Sequence, residues 1–168
     1  MNYRLEAVWP APPDAVREDV ARFWLAESAL PDLAAAQTRA HQLLVVARDP
    51  NGQVAGVSTA VRTFIDLLGF ECFFYRTFVA RAHRTRGLRS TQLFWNILLE
   101  SHRFLNERFL RGCDPGVPGI YAEIENTSMM RVRNDLVWRD NGLNAVYIGR
   151  TQDGRHVRVW YFDGARIP

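Results

Sequence analysis

The chain has no lysine: all 21 of its basic residues are arginine. Genomic base composition explains that bias more simply than any function does, and the formal net charge it leaves, +3, is modest. Cysteine is nearly absent too. Cys72 falls within a predicted core strand and Cys113 within a loop, a pair that offers neither a disulfide framework nor metal-ligand spacing. Both are expected to be reduced. His41, His102 and His156 also lack ligand spacing, so no metal site is expected. No apolar run is long enough to cross a bilayer, and the start Met1-Asn2-Tyr3-Arg4 lacks the basic and apolar regions of a signal peptide. The expectation is a cytoplasmic protein with no membrane partner. Repeats, low-complexity segments and long linkers are missing as well.

What is present suits a packed core. With 48% hydrophobic and 12% aromatic residues, 168 residues are expected to form one domain over 1–168. Residues 14–27 read as a helix with Pro12-Pro13 before it, Asp14 as its cap, and Val16, Val20, Phe23 and Trp24 as its apolar stripe. Pro31 separates it from a second short helix. Leu43–Arg48 and residues 53–63 read as strands around the turn Asp49-Pro50-Asn51-Gly52. Phe70–Val79 is a third strand, aromatic and β-branched. Leu93, Phe94, Ile97, Leu98 and Leu105 then recur at helical spacing. After a Gly- and Pro-rich loop at 111–119, residues 120–125 form a strand that leads through Asn126-Thr127-Ser128 into a short helix. Residues 145–149 and 156–162 read as strands joined through Thr151-Gln152-Asp153-Gly154. Strands interspersed with helices, with a hairpin at each end, predict a mixed α/β sheet.

The run Val79-Ala80-Arg81-Ala82-His83-Arg84-Thr85-Arg86-Gly87-Leu88-Arg89-Ser90 links the aromatic strand to the long helix. The amides that open a helix have no intrahelical partner and carry the positive end of its dipole, so a basic loop ending there suits an anion such as phosphate. Gly87 permits close approach of the backbone, the arginines add charge, and Ser90 begins the helix.

Arg84-Thr85-Arg86-Gly87-Leu88-Arg89-Ser90 resembles the pyrophosphate loop of the GNAT superfamily of acyl-CoA-dependent N-acyltransferases: Arg or Gln, two residues, Gly, one residue, Gly or Ala. Arg84 and Gly87 match it, and Arg89 stands where the small residue is usual. The other elements fall in the family's order over residues 43–148. The resemblance implies a mostly antiparallel central sheet flanked by helices, with acetyl-CoA or another acyl-CoA as cofactor. It implies a pantetheine arm along Thr77, Phe78 and Val79, a pyrophosphate on residues 84–90, and Asn126 closing the next strand beside that arm. A tyrosine, often the proton donor to the departing thiolate, usually follows that asparagine. Here Arg133 takes its place and Trp138 that of the family's phenylalanine.

Acyl transfer to an amine needs the amine deprotonated, the carbonyl polarised and the thiolate stabilised. Family members often carry an acid on the strand before the loop, where this chain has Tyr75 and Arg76. Glu71 is about 20 Å from Thr77 along an extended strand. Glu123 and Glu125 remain, on one strand face by alternation, as catalytic base candidates; the competing reading solvates them or pairs them with Arg131 or Arg133. Tyr121 or water is left to protonate the thiolate. Arg76, Arg131 and Arg133 are candidates to hold a substrate anion, which predicts a small-molecule amine acceptor that also bears a carboxylate, with a helix-face arginine pair as the alternative. A non-catalytic acyl-CoA-binding or interaction domain is the second reading. A nucleic-acid module is a third, disfavoured because only arginine density supports it. Whether the chain pairs as a homodimer is left open by the sequence.

Overall fold

The computed structural model describes residues 2–84 and 92–167. Its elements are β1 (Arg4–Ala7), α1 (Asp14–Ala26), α2 (Leu33–Ala40), β2 (Leu43–Arg48), β3 (Val54–Ile65), β4 (Phe70–Val79), α3 (Gln92–Leu110), β5 (Gly119–Ile124), α4 (Thr127–Val132), β6 (Val137–Asp140), β7 (Leu143–Arg150) and β8 (His156–Tyr161). Hydrogen bonding links the strands in the order β1-β2-β3-β4-β5-β8-β7-β6. Strands β4 and β5 pair in parallel, at Phe73↔Ile120 and Phe74↔Tyr121. Antiparallel pairing joins β1 to β2, β2 to β3, β5 to β8, β7 to β8 and β6 to β7. This is the mixed α/β sheet with flanking helices that the sequence predicts.

Two compact units divide the chain: Met1–Ala60 with Thr77–Ser101, and Val61–Arg76 with His102–Pro168. In the first, Val20, Ala21 and Trp24 of α1 pack with Ala36 and Ala40 of α2 and with Leu43, Val46 and Val57. Helix α1 departs from expectation at its start. Pro13, in extended backbone, occupies the cap position, and its carbonyl accepts from the amides of Val16 and Arg17. Asp14 is therefore the first helical residue, and its carboxylate pairs with Arg17. Asp32 is a true cap for α2, accepting from the Ala35 amide at 2.8 Å. Two buried serine hydroxyls are matched here: Ser58 Oγ accepts from the Val45 amide at 3.2 Å and meets Ser101 Oγ at 2.9 Å, while Ser101 donates to the Ile97 carbonyl.

In the second unit, Ile65, Cys72, Tyr121, Val157 and Val159 form one core cluster. Phe162 forms another with α3, its ring 5.5 Å from that of His102 and 5.4 Å from that of Phe109. Gly119 is required at the start of β5, because a Cβ there would lie 2.6 Å from the Trp160 carbonyl oxygen. Strands β1 and β6 were not expected. The latter joins β7 through Asn141-Gly142, both at positive φ, the two-residue hairpin turn that an Asn-Gly pair favours. Strand β7 starts at Leu143, two residues before its predicted start.

Candidate active site

The end of β5 carries the carboxylates. Ile120, Ala122 and Ile124 are buried, while Glu123 is half-buried and Glu125, just past the strand, is exposed. Their partner is Arg155, not Arg131 or Arg133. Its Nη1 donates to Glu123 Oε2 at 3.2 Å and to Glu125 Oε1 at 3.5 Å, and its Nη2 lies 2.8 Å from Asp153. The Tyr121 hydroxyl donates to Glu123 Oε1 at 3.4 Å. Burial, with the Glu123 charge adding to it, pushes the Tyr121 phenol up to about 12, so it stays protonated at neutral pH.

Register fixes what shares this face. Phe74 pairs with Tyr121, so alternation puts Arg76 on the face of Phe74 and Glu123 on that of Tyr121, which is the same face. The Phe74 and Tyr121 rings meet edge-on at 5.4 Å, and the Arg76 guanidinium stacks 3.9 Å from the Phe74 centroid.

The other two arginines offered for an acceptor anion lie elsewhere. Arg133 is not on the helix but caps its C-terminus, where it forms an ion pair with Asp140 and stacks 5.1 Å from Trp138. The Trp138 indole donates to the Arg133 carbonyl at 2.9 Å, which locks the two together. Arg131 lines a surface depression of about 380 Å³ with Thr127, Met130, Asn134, Arg150 and His156.

Of the residues expected to hold a cofactor, Asn126 caps α4, its Oδ1 accepting from the Met129 amide at 2.9 Å. Thr77 Oγ1 is buried and has no hydrogen-bond partner among the described residues. Phe78 packs edge-on against Phe23 at 5.7 Å. The Val79 carbonyl accepts from Arg84 Nε at 2.7 Å, and the Arg84 guanidinium sits 4.8 Å from the Phe78 ring. His83 Nδ1 meets the Tyr3 hydroxyl at 3.1 Å. Thr85, Arg86, Gly87, Leu88, Arg89 and Ser90 lie outside the described residues.

Solved structures share this architecture. The GNAT superfamily phosphinothricin acetyltransferase from Sinorhizobium meliloti, in complex with acetyl-CoA, superposes with a TM-score of 0.56 over 98% of this chain and 91% of that one, at 17% identity. The fold is that of the GNAT acetyltransferases. A ribosomal-protein-S5-alanine acetyltransferase from Vibrio fischeri is similar to the same extent, with a TM-score of 0.55, 10% identity, and coverage of 99% of this chain and 96% of that one. No family model matches the sequence, and no curated protein matches it.

On the GNAT fold, sequence reasoning missed Arg155, the residue that joins both carboxylates. It follows the turn at 151–154, and a strand that pairs with β5 would bring it to Glu123. That pairing joins residues some thirty positions apart, which periodicity does not reveal. Arg150 and His156 were missed for the same reason, being brought together only by the β7–β8 pairing.

Proposed function

We propose that the protein is an acyl-CoA-dependent N-acyltransferase that passes an acetyl or other acyl group directly to a small amine within a ternary complex. One observation carries the reading: the half-buried Glu123 carboxylate shares its sheet face with Arg76 and accepts a hydrogen bond from the Tyr121 hydroxyl. The acetyl-CoA bound to the phosphinothricin acetyltransferase of the same fold supports the donor class. The orphaned Thr77 hydroxyl suits a donor with amide groups along its arm, since a buried hydroxyl without a partner costs roughly 1–3 kcal/mol. Thr77, Phe78 and Val79 would hold that arm, with Arg84 and residues 85–90 at the pyrophosphate.

Bound acyl-CoA supplies an acyl group activated as a thioester. The chain's own groups manage protons. Glu123 takes the proton that the acceptor amine loses, directly or through a water; a carboxylate has about four lone-pair sites, so bonds from Arg155 and Tyr121 leave room for the amine. Glu125, more exposed, is the alternate base. Tyr121, whose hydroxyl donates to that carboxylate at 3.4 Å, is the candidate to protonate the departing thiolate. The acceptor in this proposal is a small amine that also bears a carboxylate, with Arg76 as the anion's partner on the Glu123 face.

Release of free thiol from acetyl-CoA, followed across a panel of amines, tests the reading. Turnover is expected on amino-acid-like amines and not on spermidine, and the reverse pattern would overturn the acceptor class. The double grip of Arg155 on Glu123 and Glu125 favours one other reading, an acyl-CoA-binding domain without turnover. CoA binding with no thiol release on any amine would establish that alternative.

A further inference from the structure

The depression beside α4 includes none of the residues given a role in the proposed acyl transfer. His156 pairs with Ile124 of β5 and with Arg150 of β7, so His156 and Arg150 lie on the Ile124 face of the sheet. Glu123, one residue before Ile124, lies on the opposite face. The depression is thus separated by the sheet from the Glu123 carboxylate.

Its chemistry is one-sided. Arg131 and Arg150 both line it, both are exposed, and neither has an ion-pair or hydrogen-bond partner among the described residues. No carboxylate is among the described residues that line it. Of the carboxylates close to it in sequence, Glu123, Glu125 and Asp153 are engaged by Arg155 and Asp140 by Arg133, while Asp135, beside Asn134, is exposed and does not line it. His156 is buried, its Nδ1 has no hydrogen-bond partner among the described residues, and its backbone amide donates to Met130 Sδ at 3.3 Å, which ties α4 to the start of β8. Two guanidinium groups lining one depression with no counter-charge between them repel each other. Burial, with the charges of Arg150 and Arg158 adding to it, lowers the pKa of the His156 imidazole. An anion would relieve both effects.

We propose that this depression is a binding site for a phosphate monoester, with Arg131 and Arg150 as its guanidinium partners and His156, Asn134 and Thr127 as polar contacts. A dianion matches two arginines; a single carboxylate would satisfy one guanidinium fork and leave the other without a counter-charge. Two sources supply such a group: the 3′-phosphate of the CoA donor, or a separate phosphorylated small molecule.

The test titrates the full chain with inorganic phosphate while following the His156 ring resonances, and measures the affinities of CoA and of dephospho-CoA by calorimetry. Arg131→Gln and Arg150→Gln are compared with the wild type, and Arg139→Gln, at an exposed arginine of β6, controls for net charge. Phosphate should shift the His156 resonances saturably, and either depression variant should weaken that binding about tenfold or more while Arg139→Gln leaves it unchanged. If CoA also binds about tenfold tighter than dephospho-CoA and Arg150→Gln abolishes the difference, the cofactor is the source. If phosphate saturates the site but CoA and dephospho-CoA bind alike, the source is a separate ligand. The phosphate arm reads out even if the chain binds no CoA, so failure of the acyl-transfer reading is distinguishable. A His156 ring that ignores phosphate, together with equal affinities for CoA and dephospho-CoA, would overturn the proposal.

Discussion

The guanidinium carbon of Arg158 lies 3.7 Å from the centroid of the Trp138 ring. Arg158 is completely buried on β8, donating to the Ala145 carbonyl at 3.2 Å and the Asp135 carbonyl at 2.6 Å, with its Nε left without a partner among the described residues. Burial, reinforced by the nearby Arg133 charge, pulls its pKa down to about 10. The side chain therefore fastens β7 and the segment before β6 to β8 through stacking and two carbonyls rather than through an ion pair.

Arg158→Ala should destabilise the protein by about 2–4 kcal/mol, because it opens a cavity beneath Trp138 and orphans two carbonyls. Arg158→Met keeps most of the volume without the desolvated charge, so it should cost about half as much or less. Urea denaturation of the three proteins measures this; equal losses in both variants would show that the charge, not the packing, matters.

Gly56 stands where a Cβ would meet Ile97 Cδ1 at 2.8 Å and the Phe78 carbonyl oxygen at 3.1 Å. Gly56→Ala should cost about 1–3 kcal/mol from overpacking. Part of that clash is with a single methyl group. Ile97→Val removes it, so the double variant should be more stable than the two single losses predict when added. Strict additivity in a double-mutant cycle would place the strain elsewhere.

Burial separates the two carboxylates. The Glu123 side chain is 23% exposed and that of Glu125 75%. Glu123→Gln should lower thiol release from acetyl-CoA about 10²–10⁴-fold with CoA affinity nearly intact, since a general base acts on the acceptor. Glu125→Gln should have the smaller effect. A larger loss at Glu125 would make the exposed carboxylate the base.

Long periodic segments were legible in the sequence, and non-local pairings were not. The spacing of Leu93, Ile97, Leu98 and Leu105 reads as α3, and the Asp49–Gly52 turn reads as the β2–β3 hairpin. The carboxylates Glu123 and Glu125 could be chosen from alternation alone. Arg158 could not be read as buried, because its strand is buried on both faces and a charged residue at a core position breaks the pattern that marks a core. Strand β1 is only four residues long, too short to show a period, while β6 is announced only by its Asn141-Gly142 turn. Arg133 stood in for a missing tyrosine by alignment of the motif, yet its partner, Asp140, is set by the hairpin that follows.

Alkaline pH should expose the state of Tyr121. Its phenol is raised from an ordinary value of 10.0 to about 12, first by burial and then by the Glu123 charge, so between these two values the unfolded chain loses a proton that the folded chain keeps. The folded state then binds more protons, and stability falls as pH rises. The contribution is full below pH 10 and lost by about 12. Cys72, raised by burial from 9.0 to about 12, and Tyr161, also raised by burial, act in the same direction, so the wild type should begin to weaken near pH 9. Tyr121→Phe removes one of the three groups. Its denaturation midpoint should decline less steeply across the upper part of this range than that of the wild type, and tyrosinate absorbance of the folded wild type should show a phenol ionising late that the variant lacks. Equal slopes in the two proteins would mean that Tyr121 titrates as a solvated phenol, and would remove it as the protonated partner of Glu123.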